Sequence, residues 1–193
     1  MNRKLLVVVA VAAVLALLAG AAVGRNLLSD ATTTSPTADV VTFKDEIAKF
    51  SISYPGSWER LALPADDPDV ALLVKADEAT SLLVRTSALG LDNVTTKTLN
   101  IVRKFTDELV AADTRVTVLG EPVAVELGGL PGYRYRYTYG TGASGGAHDH
   151  YFLFKNGGRQ LIQLVFQATP AQHLAEVTPA FQRIAGTFRG SDE

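Results

Sequence analysis

The chain has 193 residues, of which 47% are apolar and 20% charged, and its formal charge is −2. That balance suits one packed domain plus an appendage and excludes an intrinsically disordered chain. Arg3 and Lys4 precede a long apolar run, so the part from Arg25 onward carries 16 basic against 20 acidic side chains, a charge of −4. Such a surface lacks the basic footprint that phosphate backbones demand, and nucleic acid is not an expected partner.

Cysteine is absent, which excludes disulfides, thiolate metal sites, a cysteine nucleophile and a lipid-modified N-terminal cysteine. A domain of this length can instead rely on its apolar core.

Residues 1–25 form the expected membrane anchor or signal sequence. Leu5 to Val23 is an unbroken run of 19 apolar or small residues closed by Arg25. A helix of about 20 such residues satisfies its own backbone in hydrocarbon and spans the bilayer. The basic pair before it is retained in the cytoplasm, which places the rest of the chain outside. Ala19-Gly20-Ala21 offers a cleavage site, but the run exceeds the usual length of a signal's apolar segment. The expectation is a single-pass anchor through residues 5–23, or a secreted protein if the leader is removed. Residues 26–41, rich in Thr, Ser, Ala and Asp with Pro36, read as a flexible linker.

A folded domain is expected over 42–189, with a short tail at 190–193. Val41–Phe43 and Phe50–Tyr54 alternate like half-buried strands, and Pro55-Gly56 ends the second. Trp58 follows and should cap the core. Val70–Val74 and Ser81–Thr86 read as a hairpin. Residues 95–111 change to helical spacing, with Leu99, Val102, Phe105, Leu109 and Val110 on one face.

Strand signals return at Thr117–Leu119, Val123–Leu127 and the alternating Tyr133 to Tyr139. Tyr151–Phe154 and Leu161–Phe166 flank Asn156-Gly157-Gly158, whose residues tolerate the positive φ of a tight hairpin. Thr169-Pro170-Ala171-Gln172 has the form of a helix capping box, followed by a stripe of Leu174, Val177, Phe181 and Ile184. Pro179 should kink or restart that helix near Thr178. Strands, helix, strands, helix in this order imply an α+β domain: a mainly antiparallel sheet with helices packed on it.

The opening Phe43-x-Asp45 and Phe50-Ser-Ile-Ser-Tyr54-Pro55-x-x-Trp58, with the closing Phe181-x-x-Ile184-x-x-x-Phe188, resemble the ends of PsbP-like domains. Within that superfamily the exported actinobacterial LpqN-type proteins look nearest, although the lipidated cysteine of those proteins is missing here. The resemblance implies an α/β/α sandwich and a non-catalytic role in binding larger membrane-associated assemblies. It carries over no catalytic residue.

Several local patterns compete with that reading. Gly140 to Gly145 fits a dinucleotide-binding loop and Gly142 to Gly146 a nucleophile elbow around Ser144, with Asp149, His150 and His173 downstream. Both motifs need a helix immediately after the loop. A strand is expected there instead, so a glycine-rich connector is the simpler reading. His148 and His150 would share one face of a strand, a spacing able to grip a metal, with His173 and Asp149 as candidate third ligands. Solvated strand-end residues are the plainer expectation.

Tyr133, Tyr135, Tyr137 and Tyr139 share a strand face, opposite Arg134 and Arg136. With Trp58 they are candidates for binding a ligand or partner, or for packing beneath a helix. The expected function is a non-catalytic, extracytoplasmic protein that docks on a membrane complex or another envelope protein, without a cofactor. The alternatives are a carrier of a lipid or other small apolar ligand and, further off, a hydrolase or metal-binding protein.

Overall fold

The computed structural model describes residues 39–140 and 145–190. The anchor expected at 5–23, the linker up to residue 38, Ser144 and residues 191–193 lie outside the described residues. Among those described, no helix is long and apolar enough to cross a membrane.

β1 (Val40–Asp45) and β2 (Phe50–Pro55) form the expected antiparallel hairpin, pairing Val41 with Tyr54 and Phe43 with Ile52. β1 begins at Val40, inside the stretch expected to be linker. At the turn, the Asp45 carboxylate accepts the N–H groups of Ile47 (2.9 Å) and Ala48 (2.7 Å). An aspartate satisfies its own downstream backbone in this way, which is why the chain reverses here. A two-residue strand near the C-terminus, Arg189–Gly190, adds to β2 and completes a small three-stranded sheet.

The main sheet has eight strands. After β3 (Glu59–Arg60) come β4 (Val70–Lys75) and β5 (Thr80–Ala88), paired as the apolar runs imply. A short 3-10 turn at Leu99–Val102 leads into α1 (Arg103–Ala111). β6 (Val116–Val118) and β7 (Val123–Leu127) lie end to end along β8 (Leu130–Tyr139). β9 (Gly146–Lys155), β10 (Gln160–Ala168) and α2 (Leu174–Gly186) follow, and the two-residue strand at 189–190 is β11. The spatial order is β3-β4-β5-β10-β9-β8-β6, with every neighbouring pair antiparallel.

Strand alternation divides the core between two faces. On one face Leu72, Val74, Leu82, Val84, Leu153, Ile162, Leu164 and Phe166 pack beneath α2 and the small sheet, which contribute Phe181, Ile184, Phe50, Ile52 and Phe188. Trp58 packs against this cluster half-buried. On the other face the 3-10 turn sets Leu99 and Val102, and α1 sets Leu109 and Val110, onto Tyr133, Tyr135, Tyr137, Phe152 and Phe154. Each fully buried side chain of this kind contributes about 1.5–3 kcal/mol.

Lys155 fixes the small sheet to the large one. Its buried ammonium donates to the carbonyls of Ala48 (2.7 Å) and Lys49 (2.8 Å) across the β1–β2 turn. A charge at this depth is tolerable because backbone oxygens replace its water.

The expected capping box does not form. Thr169 donates its N–H to Ala79 O (2.8 Å) and Ala171 donates to Gly145 O (3.0 Å), so the sheet and the β8–β9 connection occupy these amides. A 3-10 turn at Ala171–His173 intervenes, and α2 starts at Leu174. The helix also runs through Pro179 rather than restarting there, with the Thr178 hydroxyl bonded to Leu174 O at 2.6 Å.

The β9–β10 turn does follow its sequence. Asn156, Gly157 and Gly158 have φ of 53°, 64° and 99°. A Cβ on Gly157 would approach nothing closer than the Asn93 nitrogen at 3.7 Å. Gly157→Ala therefore carries only the left-handed backbone penalty, and its urea unfolding free energy should fall by about 1–2 kcal/mol.

Candidate functional site

The face that meets α1 carries a continuous polar chain. The antiparallel register sets Tyr137 of β8 beside His148 of β9 and Gln167 of β10. One step along, His150 lies beside Tyr135 and Val165. Tyr137 Oη sits 3.0 Å from His148 Nδ1 and 2.9 Å from His150 Nδ1. His148 Nε2 is 3.3 Å from Gln167 Oε1, and His150 Nε2 is 3.2 Å from Gln163 Oε1. All four imidazole nitrogens are thus engaged.

Proton counting fixes the polarity of this chain. Tyr137 has one hydroxyl proton, which satisfies one Nδ1; the other imidazole must donate its own Nδ1–H to the phenol oxygen. That second ring then has a bare Nε2, which needs an N–H donor. With both rings neutral, one of the two glutamines presents its NH2 rather than its carbonyl oxygen, an assignment made from the network. Burial keeps both rings neutral. It pushes His148 down to about 4, with Gln167 opposing, and His150 well below its ordinary value, assisted by the nearby charge of a protonated His148. Burial likewise pushes the Tyr137 phenol up, so it keeps its proton.

The expectation of solvated strand-end histidines is therefore wrong. His148, Asp149 and His150 are 3%, 0% and 1% exposed, because β9 begins at Gly146 and places them inside the sheet. The two imidazoles share a face, as alternation requires, yet both Nδ1 atoms meet on the Tyr137 hydroxyl and the Nε2 atoms are held by Gln167 and Gln163, so all four nitrogens have side-chain partners. Among the described residues no group of three or more metal-ligating side chains converges. His173 lies 3.0 Å from the Glu176 carboxylate instead.

The tyrosine ladder is mostly interior. Tyr133, Tyr135 and Tyr137 are buried, and Tyr139 is half-buried with its ring 4.6 Å from that of His148. Tyr135 donates to Asp107 Oδ1 at 2.7 Å and accepts from the buried Thr106 hydroxyl at 2.6 Å. Burial raises its pKa, so the phenol serves as a donor. Arg103 chelates Asp107 through Nε (3.0 and 3.1 Å), reaches Glu121 through Nη2 (3.2 Å) and lies over the Tyr133 ring. A cleft of about 320 Å3 opens here between α1 and the β6–β7 edge, lined by Arg103, Asp107, Glu121, Tyr135, Val110 and Val118 among others. Its charged rim suits a polar group better than an acyl chain.

The opposite face of β8 carries Arg134 and Arg136. Arg134 Nε donates to the fully buried Asp149 at 2.6 Å, its Nη2 makes a second bond to the same carboxylate, and its guanidinium lies over the Tyr151 ring. Two parallel bonds of this kind hold a carboxylate in the sheet without water. The Gly145-to-β9 connection leads into strand rather than helix, as the glycine-rich connector implies.

Sequence reasoning missed Gln163, Gln167, Thr106, Asp107 and Lys155. A signal was present for the glutamines: polar residues in an otherwise apolar strand, on one face of β10, need buried partners.

No family model and no curated protein matches this chain. Solved structures do. Cyanobacterial PsbP (CyanoP) from Synechocystis is 16% identical and superposes with a TM-score of 0.61, covering 84% of this chain and 98% of its own. The domain has the PsbP-like fold. LpqN of Mycobacterium tuberculosis, a protein involved in cell envelope biogenesis, shares this PsbP-like arrangement at 13% identity and TM-score 0.55 over 80% of this chain and 86% of its own. The yeast Ran-binding protein Mog1p also superposes on the PsbP-like domain, at 10% identity and TM-score 0.52, covering 79% of this chain and 96% of its own.

Proposed function

We propose that this chain is a non-catalytic envelope protein, held in the membrane by residues 5–23, whose PsbP-like domain docks from the outside onto a membrane complex or another exported protein. The observation that carries this reading is the β6–β7 edge. Val118, Leu119 and Val123 are all more than two-fifths exposed there, beside strands whose outer edge pairs with nothing among the described residues. Open strand edges with apolar side chains are association surfaces. The fold likeness to a protein of envelope biogenesis and to a Ran-binding protein is consistent with a binding role. The polar chain supports it as well, since groups bonded to one another in the interior act as architecture rather than as acid–base catalysts.

Crosslinking in intact cells, followed by identification of proteins captured from the native membrane, tests the proposal. One reproducible envelope protein should be enriched over a control with the same leader and an unrelated domain. Enrichment of nothing beyond that control would contradict docking.

A further inference from the structure

The uncovered part of the main sheet, on the side that carries α2, combines charge with apolar surface. β7 sets Val123 opposite Arg134 and Val125 opposite Gly132. Val125 and Leu127 join the core cluster beneath α2 and the small sheet, so the apolar row along β7 starts in the core and continues to Val123, which is 58% exposed. Leu119 donates its N–H to Arg136 O at 2.8 Å, continuing the β6–β8 register and placing its 46%-exposed side chain on the side of Arg136. Two arginines on neighbouring steps of β8 thus stand between two exposed aliphatic residues.

Their charges are not balanced. Asp149, in register with Arg136, is committed to Arg134 through two bonds. Among the described residues Arg136 has no ion-pair partner, whereas Arg134 holds Asp149. The surface of the exported part is acidic overall, so a local excess of positive charge on a half-buried sheet face is set against the general field. Guanidinium groups held on a strand recognise carboxylates with fixed geometry, and flanking aliphatic side chains exclude water from the pair.

We infer that Arg136, with Leu119 and Val123, forms a docking surface for an acidic, apolar segment of a partner protein. This rests on the docking function proposed above and names the surface and partner chemistry for it. Carboxylates of the segment pair with Arg136, its aliphatic residues cover Leu119 and Val123, and Arg134 stays with Asp149 as the rigid support beneath.

Full-length protein in phosphatidylcholine nanodiscs, titrated with a fluorescent peptide alternating glutamate with valine and leucine, gives the first readout. The peptide should bind, its lysine-for-glutamate counterpart should not, and Arg136→Glu should weaken the acidic peptide about tenfold while admitting the basic one. Should Arg136→Glu fold poorly, Arg136→Gln with an unchanged thermal melt is expected to show the same loss. Absence of acidic-peptide binding, indifference to both substitutions, or Arg136-dependent binding to phosphatidylglycerol vesicles instead of peptide would overturn the assignment.

Photoreactive residues placed in cells at Val123 and, on α1, at Lys104 separate this surface from the function itself. An adduct from position 123 that disappears in Arg136→Glu is expected. Adducts from position 104 alone leave docking standing and remove this surface; adducts from neither position remove both.

Discussion

Between pH 7 and pH 4 the domain should lose at least about 3 kcal/mol of its unfolding free energy through its two buried histidines. The sign follows from burial. In the unfolded chain both imidazoles bind protons as pH falls through about 6.5. In the folded chain His148 resists until about 4, and His150 is displaced in the same direction. Below about 6.5 the unfolded state therefore holds more protons, and stability declines until the folded-state value is reached. His148 alone accounts for roughly 2.5 pH units at 1.36 kcal/mol each. The rings share Tyr137, so their protons are taken up as a pair rather than independently. Groups facing the pair are Tyr137 and Tyr139 on β8, Gln163 and Gln167 on β10, and Arg85 on β5, with Asp113 near Tyr137 from the turn after α1. None of these is an anion bonded to an imidazole that could stabilise its charged form. Urea unfolding at stepped pH measures the effect. A flat profile between pH 7 and pH 5 would mean that the rings are solvated, whereas His148→Gln should reduce the slope.

Tyr137→Phe should cost about 2–5 kcal/mol at neutral pH, although it removes a single oxygen. The hydroxyl is the only partner of both Nδ1 atoms among the described residues. Its loss strands one polar atom on each ring, and an unsatisfied buried donor or acceptor costs about 1–3 kcal/mol. The phenylalanine ring fills the same space against His148, whose ring lies 5.1 Å from that of Tyr137, so little cavity term adds. Tyr139→Phe, at a half-buried ring outside the histidine chain's hydrogen bonds, should cost less. Equal losses at the two positions in chemical denaturation would show that aromatic packing, not the shared hydroxyl, holds this face together.

The elements that could be read from the residues are those whose signals are local. Alternation disclosed β2 and β8, the helical stripe disclosed α1 and α2, and Asn156-Gly157-Gly158 disclosed the β9–β10 turn. β3 and β11 escaped because two residues have no period to detect. The capping box failed because its amides are taken by Ala79 and Gly145, which are remote in sequence.

The histidine site was half legible. His148 and His150 could be placed on one face, but Gly145-Gly146 before them suggested a loop, and polar residues beside a loop read as solvated. What buries them is β10, whose Gln163 and Gln167 meet the imidazoles only after the hairpin closes. Likewise Arg134 and Arg136 could be set opposite the tyrosines, whereas the unequal claim of Asp149 on the two depended on the β8–β9 register.

The proposed docking role requires the domain to lie outside the cytoplasm. An alkaline phosphatase fused after Glu193 reports this directly, because that enzyme needs an oxidising compartment to form its disulfides. High activity that pellets with the membrane fraction is the expected result. Inactive phosphatase, together with an active cytoplasmic reporter at the same position, would contradict it and leave the domain no access to an envelope partner.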